Sequence, residues 1–287
     1  MKKLEHIALL CDLSEMDEIM LSYLEKLDTK QDFQSLTLVH FVEVDELTEE
    51  IKALIPDSDK SIEKIIEEEL RETCDRIFQR KHDQVNIHVH QGGNVDDLSE
   101  WVDSQNFDAL VVGKKSSYHG SGIFASQLVR LTTTSIMIIP ESARSDIRKI
   151  VLPIDFSKYT RAVLEIGSIL GKSSDSHLLP IHIIRLSPHY FPLLKEDDSI
   201  KKEMEKSAIK KYEKEANRLN ISAPLNIAHE TDQHTSKVIY RYAMKENADL
   251  IIVGKKGRHH SEELLIGGVT EQLISSDKHI PVLIMHS

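Results

Sequence analysis

The sequence is poor in the residues that mark several specialised classes of protein. It has two cysteines in 287 residues, Cys11 and Cys74, which form no metal-spaced motif and indicate a reducing compartment such as the cytoplasm. Glycine and proline number only 11 and 8, which argues against a fibrous or disordered chain. The longest apolar runs, such as residues 249–253, are strand-sized and too short to span a membrane. The first residues lack an apolar segment with a cleavage site, so we expect no secretory signal.

Positive charge is also scarce. The chain has 47 acidic and 36 basic residues, and its formal net charge at pH 7 is −11. Such a surface repels a phosphate backbone, so we expect neither nucleic acid nor a membrane as a partner. The length and the hydrophobic content of 40% fit one large domain or two of ordinary size, each able to bury a core.

The most informative feature is a pattern that occurs twice. Residues 6–12 resemble residues 149–155, and residues 108–115 resemble residues 249–256, at offsets of 143 and 141 positions. A nearly constant offset between two separate motifs indicates a duplication. The polar stretch 141–146 is the expected boundary between the two copies.

Each half alternates short apolar runs with amphipathic segments. In the second half, a helix is predicted over about 157–170, with Ser157 as its N-cap and Gly171 as its stop. Alternating strands and helices require crossover connections and therefore predict a parallel sheet. We expect an α/β fold with two domains, 1–143 and 147–287, each a five-stranded, mostly parallel sheet with helices on both faces.

The segment that carries chemistry follows the fourth strand of the second half. Ligands of such sheets bind at the carboxyl ends of strands, where the strand order switches, and Asp155 and Gly254 end two of these strands. From Gly254 the sequence reads Gly-x2-Gly-x9-Gly-Gly. Gly257 permits close backbone approach, and Gly267 and Gly268 open a helix whose N–H groups face an anion. The spacing therefore predicts a phosphate site.

On these motifs the chain resembles a tandem universal stress protein of the UspA superfamily over nearly its whole length. Nucleotide-binding members carry Gly-x2-Gly-x9-Gly-Ser/Thr at this place and an aspartate after the first strand. The resemblance implies two Rossmann-like domains of the adenine nucleotide alpha hydrolase-like type. It implies ATP or a related adenine nucleotide, with or without Mg²⁺, in the second domain, and at most slow hydrolysis. It implies these binding residues: Pro153, Asp155 at the ribose or adenine edge, Ile183 against adenine, and Gly254, Gly257, Gly267 and Gly268 at the phosphates.

Two departures from the family pattern affect this interpretation. Gly268 replaces the Ser/Thr, which removes a hydroxyl donor. The sequence leaves open whether the hydroxyl of Thr270, two positions further on, takes its place. In the first half Asp12 remains, but Ser116 replaces the second glycine, and Ser126 and Gln127 replace the Gly-Ser/Thr pair. We expect this half to be silent toward ATP. It would instead pair with the other half through their fifth strands, the strands that commonly form dimers in the family, and a homodimer of chains remains open.

Simpler interpretations stand beside these. Asp155 could cap the following turn, a role compatible with ligand binding, and the Gly267–Gly268 pair could be a tight packing point. The basic residues of the loop, Lys255, Lys256 and Arg258, could neutralise phosphates or only meet solvent. The imidazoles of His259–His260, or of His88 and His90, could be zinc ligands, but two ligands do not close a site.

Three functions therefore compete. The first is a regulatory protein that binds an adenine nucleotide in its second domain. The second is a nucleotide-free tandem scaffold, or a binder of another small and apolar ligand. The third is an enzyme, for which the sequence shows no complete set of catalytic residues.

Overall fold

The computed structural model describes residues 3–43, 61–78, 84–115, 121–185, 198–230, 234–257, 266–276 and 279–286. The chain divides into two compact units. We call them the N-terminal unit, Leu4–Asp146, and the C-terminal unit, which begins at Ile147.

The N-terminal unit is an alternation of parallel strands and helices. Its elements are β1 (His6–Cys11), α1 (Glu15–Gln31), β2 (Ser35–Glu43), α2 (Ile62–Ile77), β3 (Val85–Gly92), α3 (Val95–Ser104), β4 (Ala109–Lys114), α4 (Ser121–Leu131) and β5 (Ser135–Pro140). The strand order in space is β3-β2-β1-β4-β5, with parallel pairing throughout.

The C-terminal unit repeats this plan. Its elements are β6 (Lys149–Pro153), α5 (Thr160–Ser174), β7 (His177–Arg185), α6 (Asp198–Arg218), β8 (Asn226–Glu230), α7 (Thr235–Glu246), β9 (Leu250–Gly254), α8 (Gly268–Ser276) and β10 (Val282–Met285). The order β8-β7-β6-β9-β10 places its third, second, first, fourth and fifth strands as in the N-terminal unit. The predicted α/β fold with a five-stranded parallel sheet in each half is confirmed.

The first strand of each unit is tied to the residue that precedes the fourth strand. The Asp108 carboxylate accepts hydrogen bonds from the backbone N–H groups of Glu5 and His6, at 2.9 and 2.8 Å. The Asp249 carboxylate accepts the equivalent bonds from Arg148 and Lys149, at 2.9 and 3.0 Å. The repeated aspartate of the sequence is therefore structural, because it satisfies two backbone donors that begin a buried strand.

The predicted ends of the first helix of the C-terminal unit were wrong. Helix α5 begins at Thr160 rather than near Ser157, which lies in the preceding turn. It runs through Gly171 to Ser174 and is capped by Asp175, which adopts the left-handed conformation with φ 49°. Gly171 is a packing residue, because a Cβ there would lie only 3.0 Å from a methyl group of Leu178.

The single tryptophan belongs to an aromatic cluster on the edge strand β3. The Trp101 ring stacks on His88 with centroids 4.1 Å apart and an interplanar angle of 7°, and it also contacts His90. The Nε2 atoms of His88 and His90 are buried without a hydrogen-bond partner. In the described part of the chain, no group of three or more His, Cys, Asp or Glu side chains is placed to hold a metal ion. The histidine pair considered as zinc ligands is therefore, in this structure, part of a packed ring cluster.

The Trp101 cluster should respond to acid. Burial lowers the pKa of both His88 and His90, and for His88 the neighbouring His90 adds to the effect. Below the ordinary histidine pKa of about 6.5, the unfolded chain binds more protons than the folded one. The free energy of unfolding therefore decreases as the pH is lowered. We expect Trp101 fluorescence to change with a midpoint below that value, and urea unfolding to occur at lower urea at pH 5.5 than at pH 7.5. A midpoint at or above the ordinary value, or one unchanged by His88→Gln, would contradict this.

Candidate functional site

A cavity of about 850 Å³ lies at the carboxyl ends of β6, β7 and β9 in the C-terminal unit. Six of the seven residues predicted from the sequence line it: Pro153, Asp155, Ile183, Gly254, Gly257 and Gly267. The seventh, Gly268, is the first residue of α8 and follows Gly267 directly.

Strand register explains why residues far apart in sequence meet here. Pro153 pairs with Ile181 on β7, and the N–H of Ile154 donates to the Ile181 carbonyl at 2.8 Å. On the other side β6 pairs with β9, so Asp155 and Gly254 end up at the same edge of the sheet, next to Ile183 within β7. The second strand of the unit lies on one side of the first and the fourth on the other, which makes this edge the switch point of the sheet.

Asp155 holds the turn between β6 and α5. Its Oδ1 accepts the backbone N–H of Ser157 at 2.9 Å and the hydroxyl of Thr160 at 3.2 Å. The turn passes through Phe156 at φ 58°, a left-handed conformation that is unusual for a bulky side chain. Asp155 therefore caps the turn through its Oδ1, as the simpler interpretation held. The residue also lines the cavity.

Three aromatic side chains line the same cavity, Phe156, Tyr159 and His182, and none of them was predicted as a site residue. The rings of Phe156 and His182 lie 4.8 Å apart. The Nδ1 of His182 is 2.6 Å from the Ile154 carbonyl, which only accepts, so Nδ1 carries the proton of the neutral ring. The ammonium group of Lys211 lies 5.8 Å from the centre of the Phe156 ring. The signal available in the sequence was the aromatic residue directly after Asp155.

The glycines of the motif differ in how much space surrounds them. A Cβ at Gly254 would overlap the Cβ of Tyr159 and lie 2.9 Å from its Cγ, so this glycine lets helix α5 pack closely on β9. A Cβ at Gly268 would meet no atom within 4 Å. Thr270 is buried, and its hydroxyl donates to the Gly254 carbonyl at 2.8 Å. In this structure the hydroxyl proton is thus directed to the backbone of β9.

The loop after β9 is anchored by its backbone. The N–H of Gly267 donates to the Lys255 carbonyl at 2.9 Å, and the N–H of Lys255 donates to Met285 on β10 at 2.9 Å. Lys255 is buried, which excludes simple solvation for it, and Lys256 lines the cavity. The predictions for Arg258, His259 and His260 concern residues outside the described ranges.

The equivalent edge of the N-terminal unit is arranged differently. The Lys115 ammonium lies 2.5 Å from the Asp12 carboxylate, and Ser14 donates to the same carboxylate at 2.5 Å. Partial burial acts to raise the pKa of Asp12, but the bonds from Lys115 and Ser14 outweigh it and lower that pKa. Next to this pair, burial raises the pKa of Asp17 to about 6, and its carboxylate accepts the N–H groups of Asp12 and Leu13. The carboxylate matching Asp155 is therefore already neutralised by the chain's own lysine.

The helix start predicted to bind an anion in the C-terminal unit is displaced in the N-terminal unit. Ser126 and Gln127 occupy the positions of Gly267 and Gly268 in the sequence, yet they lie inside α4, which begins five residues earlier at Ser121. Backbone N–H groups inside a helix are bonded to carbonyls one turn earlier and are not offered to a ligand. Ser116 lies outside the described residues.

The fold and the site together define a class: a Rossmann-like α/β protein with its ligand cavity at the switch point of a parallel sheet. Residues 146–286 match the universal stress protein family model. A universal stress protein of Methanocaldococcus jannaschii is 27% identical over 145 residues, which cover 48% of this chain and 81% of that protein.

Solved structures extend the likeness in fold to both halves. A universal stress protein from Archaeoglobus fulgidus covers 99% of this chain and 97% of its own, at 16% identity and a TM-score of 0.62. A functionally unknown protein from Pseudomonas aeruginosa covers 98% of this chain and 92% of its own, at 13% identity and a TM-score of 0.65. Residues 146–286 therefore form a universal stress protein domain, and the fold of the two halves is consistent with a tandem arrangement of such domains. Among the described residues, no helix is both long and apolar enough to cross a membrane.

Proposed function

We propose that the C-terminal unit binds ATP or a related adenine nucleotide as a regulatory ligand in a stress response, with little or no catalysis. The observation that carries the proposal is the convergence of six motif residues from three strands and a helix entry on one cavity of about 850 Å³. That volume falls in the range of small-molecule sites, roughly 300 to 1,000 Å³.

The proposed pose follows from the chemistry of the lining. Asp155 offers a carboxylate oxygen to ribose hydroxyls, and Ile183 offers an apolar surface to the base. The phosphates would lie at Gly257, Gly267 and the amino-terminal end of α8, where backbone N–H groups and the helix dipole favour an anion.

Catalysis is proposed to be slow at most, because the cavity offers few carboxylates that could act as a general base. Among the described residues, two carboxylates line the cavity, Asp155 and Glu203. Asp155 already accepts two hydrogen bonds within its own turn, which makes it a poor general base.

Calorimetric titration of the full chain with ATP tests the proposal. One site per chain is expected, because in the N-terminal unit Lys115 already neutralises Asp12 and α4 begins too early. Two sites would contradict the expectation that the N-terminal unit does not bind ATP. No binding at millimolar ATP would favour the second candidate, a nucleotide-free tandem protein whose cavity takes another small, apolar ligand. Rapid ATP turnover, lost on mutating one carboxylate, would favour an enzyme.

Restoring the missing hydroxyl should strengthen binding. Gly268→Ser places its side chain in open space and adds a donor for a phosphate oxygen. A hydrogen bond to a charged group contributes about 1.5 kcal/mol or more, so the affinity for ATP should rise roughly tenfold. Gly93→Ser is the matched control, because Gly93 lies in the N-terminal unit and a Cβ there makes only an ordinary contact. Unchanged affinity in Gly268→Ser would show that the phosphates do not reach the start of α8.

A further inference from the structure

The cavity extends well beyond the motif residues, into a space beneath helix α6. We call this space the α6 compartment; its lining residues are Phe156, Val163, Ile200, Met204 and Ala208. Each of these side chains is apolar, and they come from the β6–α5 turn, α5 and α6. None belongs to the glycine motif, and none is among the residues that the proposed pose assigns to the base, the ribose or the phosphates of the nucleotide.

We propose that the α6 compartment binds an apolar chain attached to the nucleotide, so that the preferred ligand class is an acyl adenylate rather than a bare nucleotide. This inference rests on the proposed function, because it assigns the head of the ligand to the motif residues. It adds a second subsite and a class of ligand.

The first support is the exposure of large apolar side chains inside a concave site. Ile200 and Met204 line the cavity and are 42% and 39% exposed, whereas Val163 and Ala208 of the same lining are buried. The compartment thus combines a buried apolar part with an apolar part that is exposed to water. A ligand that covers this exposed part removes apolar surface from water, which favours binding in proportion to the area covered.

The second support is that the wall of the compartment is fixed. Helix α6 is held by the hydroxyl of Tyr212, which donates to the Ala223 carbonyl at 2.8 Å. The Glu205 side chain of the same helix pairs with His229 on β8 at 2.6 Å. The first contact ties α6 to the segment that leads into β8, and the second ties it to the edge strand β8 itself. A ligand therefore enters a preformed space and does not have to order the helix.

The third support is the charge placed around the cavity. Lys211 of α6 and Arg185 at the end of β7 line it together with Lys256. An acyl adenylate carries one phosphate between its adenosine and its chain, and that phosphate would meet these cations. A fatty acid alone would fill the compartment but leave Asp155 and Ile183 uncovered.

Two analogues with the same head and different chains test the inference. Acetyl and decanoyl sulfamoyl adenosine are non-hydrolysable stand-ins for acyl adenylates, and each is titrated into the full chain by calorimetry. We expect the decanoyl analogue to bind at least about tenfold more tightly, since every buried methylene adds to affinity. Equal affinities would overturn the inference while leaving nucleotide binding intact, and the parallel ATP titration reports on the proposed function separately.

A variant locates the chain. Met204→Glu should remove the advantage of the decanoyl analogue and leave binding of the acetyl analogue unchanged. Met244→Glu is the matched control, because Met244 is 46% exposed on α7 and is not among the lining residues. Equal loss in both variants would overturn the placement of the chain. Decanoate alone binding as tightly as its adenylate analogue would overturn the ligand class in favour of a free fatty acid.

Discussion

Replacing Gly254 with alanine is expected to lower the free energy of unfolding of the C-terminal unit by about 3 kcal/mol, at the upper end of the usual cost of overpacking a core. The added Cβ would overlap the Cβ of Tyr159, which is itself buried. Neither atom can turn away, because both are attached directly to the backbone. Urea unfolding followed by circular dichroism measures the change.

Gly268→Ala is the control for that experiment. A Cβ at Gly268 meets open space at the first position of α8, so this variant should be neutral or slightly more stable. If Gly254→Ala were as stable as Gly268→Ala, helix α5 would not pack on β9 as closely as the structure has it.

Replacing Gly257 with valine is expected to weaken ATP binding about a hundredfold, the equivalent of about 2.8 kcal/mol. Gly257 lines the cavity where the chain leaves β9, and in the proposed pose its lack of a side chain would let phosphate oxygens approach the backbone. A β-branched side chain narrows that space and restricts the local backbone. Calorimetry with ATP measures the loss, and the unfolding midpoint should change much less than in Gly254→Ala.

The choice of control matters for this second experiment. Gly113 is the N-terminal counterpart of Gly254, but a Cβ there would lie 2.5 Å from Met16 Cγ, so its valine variant would disturb the fold. Gly93→Val adds the same side chain to the N-terminal unit, where a Cβ lies 3.4 Å from the nearest atom, an Asp97 oxygen. This variant should bind ATP like the wild type. Weakened binding in Gly93→Val would mean that the loss in Gly257→Val is not specific to the cavity.

The Gly254→Ala and Gly257→Val experiments separate two roles of glycine in one motif, close packing and ligand access. The spacing Gly-x2-Gly-x9-Gly-Gly suggested four glycines at the phosphates. Gly254 lines the cavity and also lies against Tyr159 at the start of α5, Gly257 and Gly267 line the cavity, and Gly268 starts α8. Sequence spacing cannot distinguish these cases, because a ligand and a packed helix both exclude a Cβ.

The sequence by itself determined the architecture of this protein. Buried parallel strands appear as short apolar runs, and the repeats around Asp108 and Asp249 carry the same backbone contacts in both units. These features are local or repeated, so they can be recognised without knowing which elements meet. The motif also located one edge of the cavity, because strand ends that bear Asp155 and Gly254 must lie together in a parallel sheet.

Only the tertiary structure decided which residues occupy the equivalent edge in the N-terminal unit and which residues enlarge the cavity in the C-terminal unit. The ion pair between Lys115 and Asp12 joins residues about a hundred positions apart, and the α6 compartment is lined both by Phe156 and by Met204 of a later helix. Such contacts depend on the register of strands and the angle of a helix, which no residue pattern in the chain specifies. Packing therefore determines which of two similar motifs leaves room for a ligand.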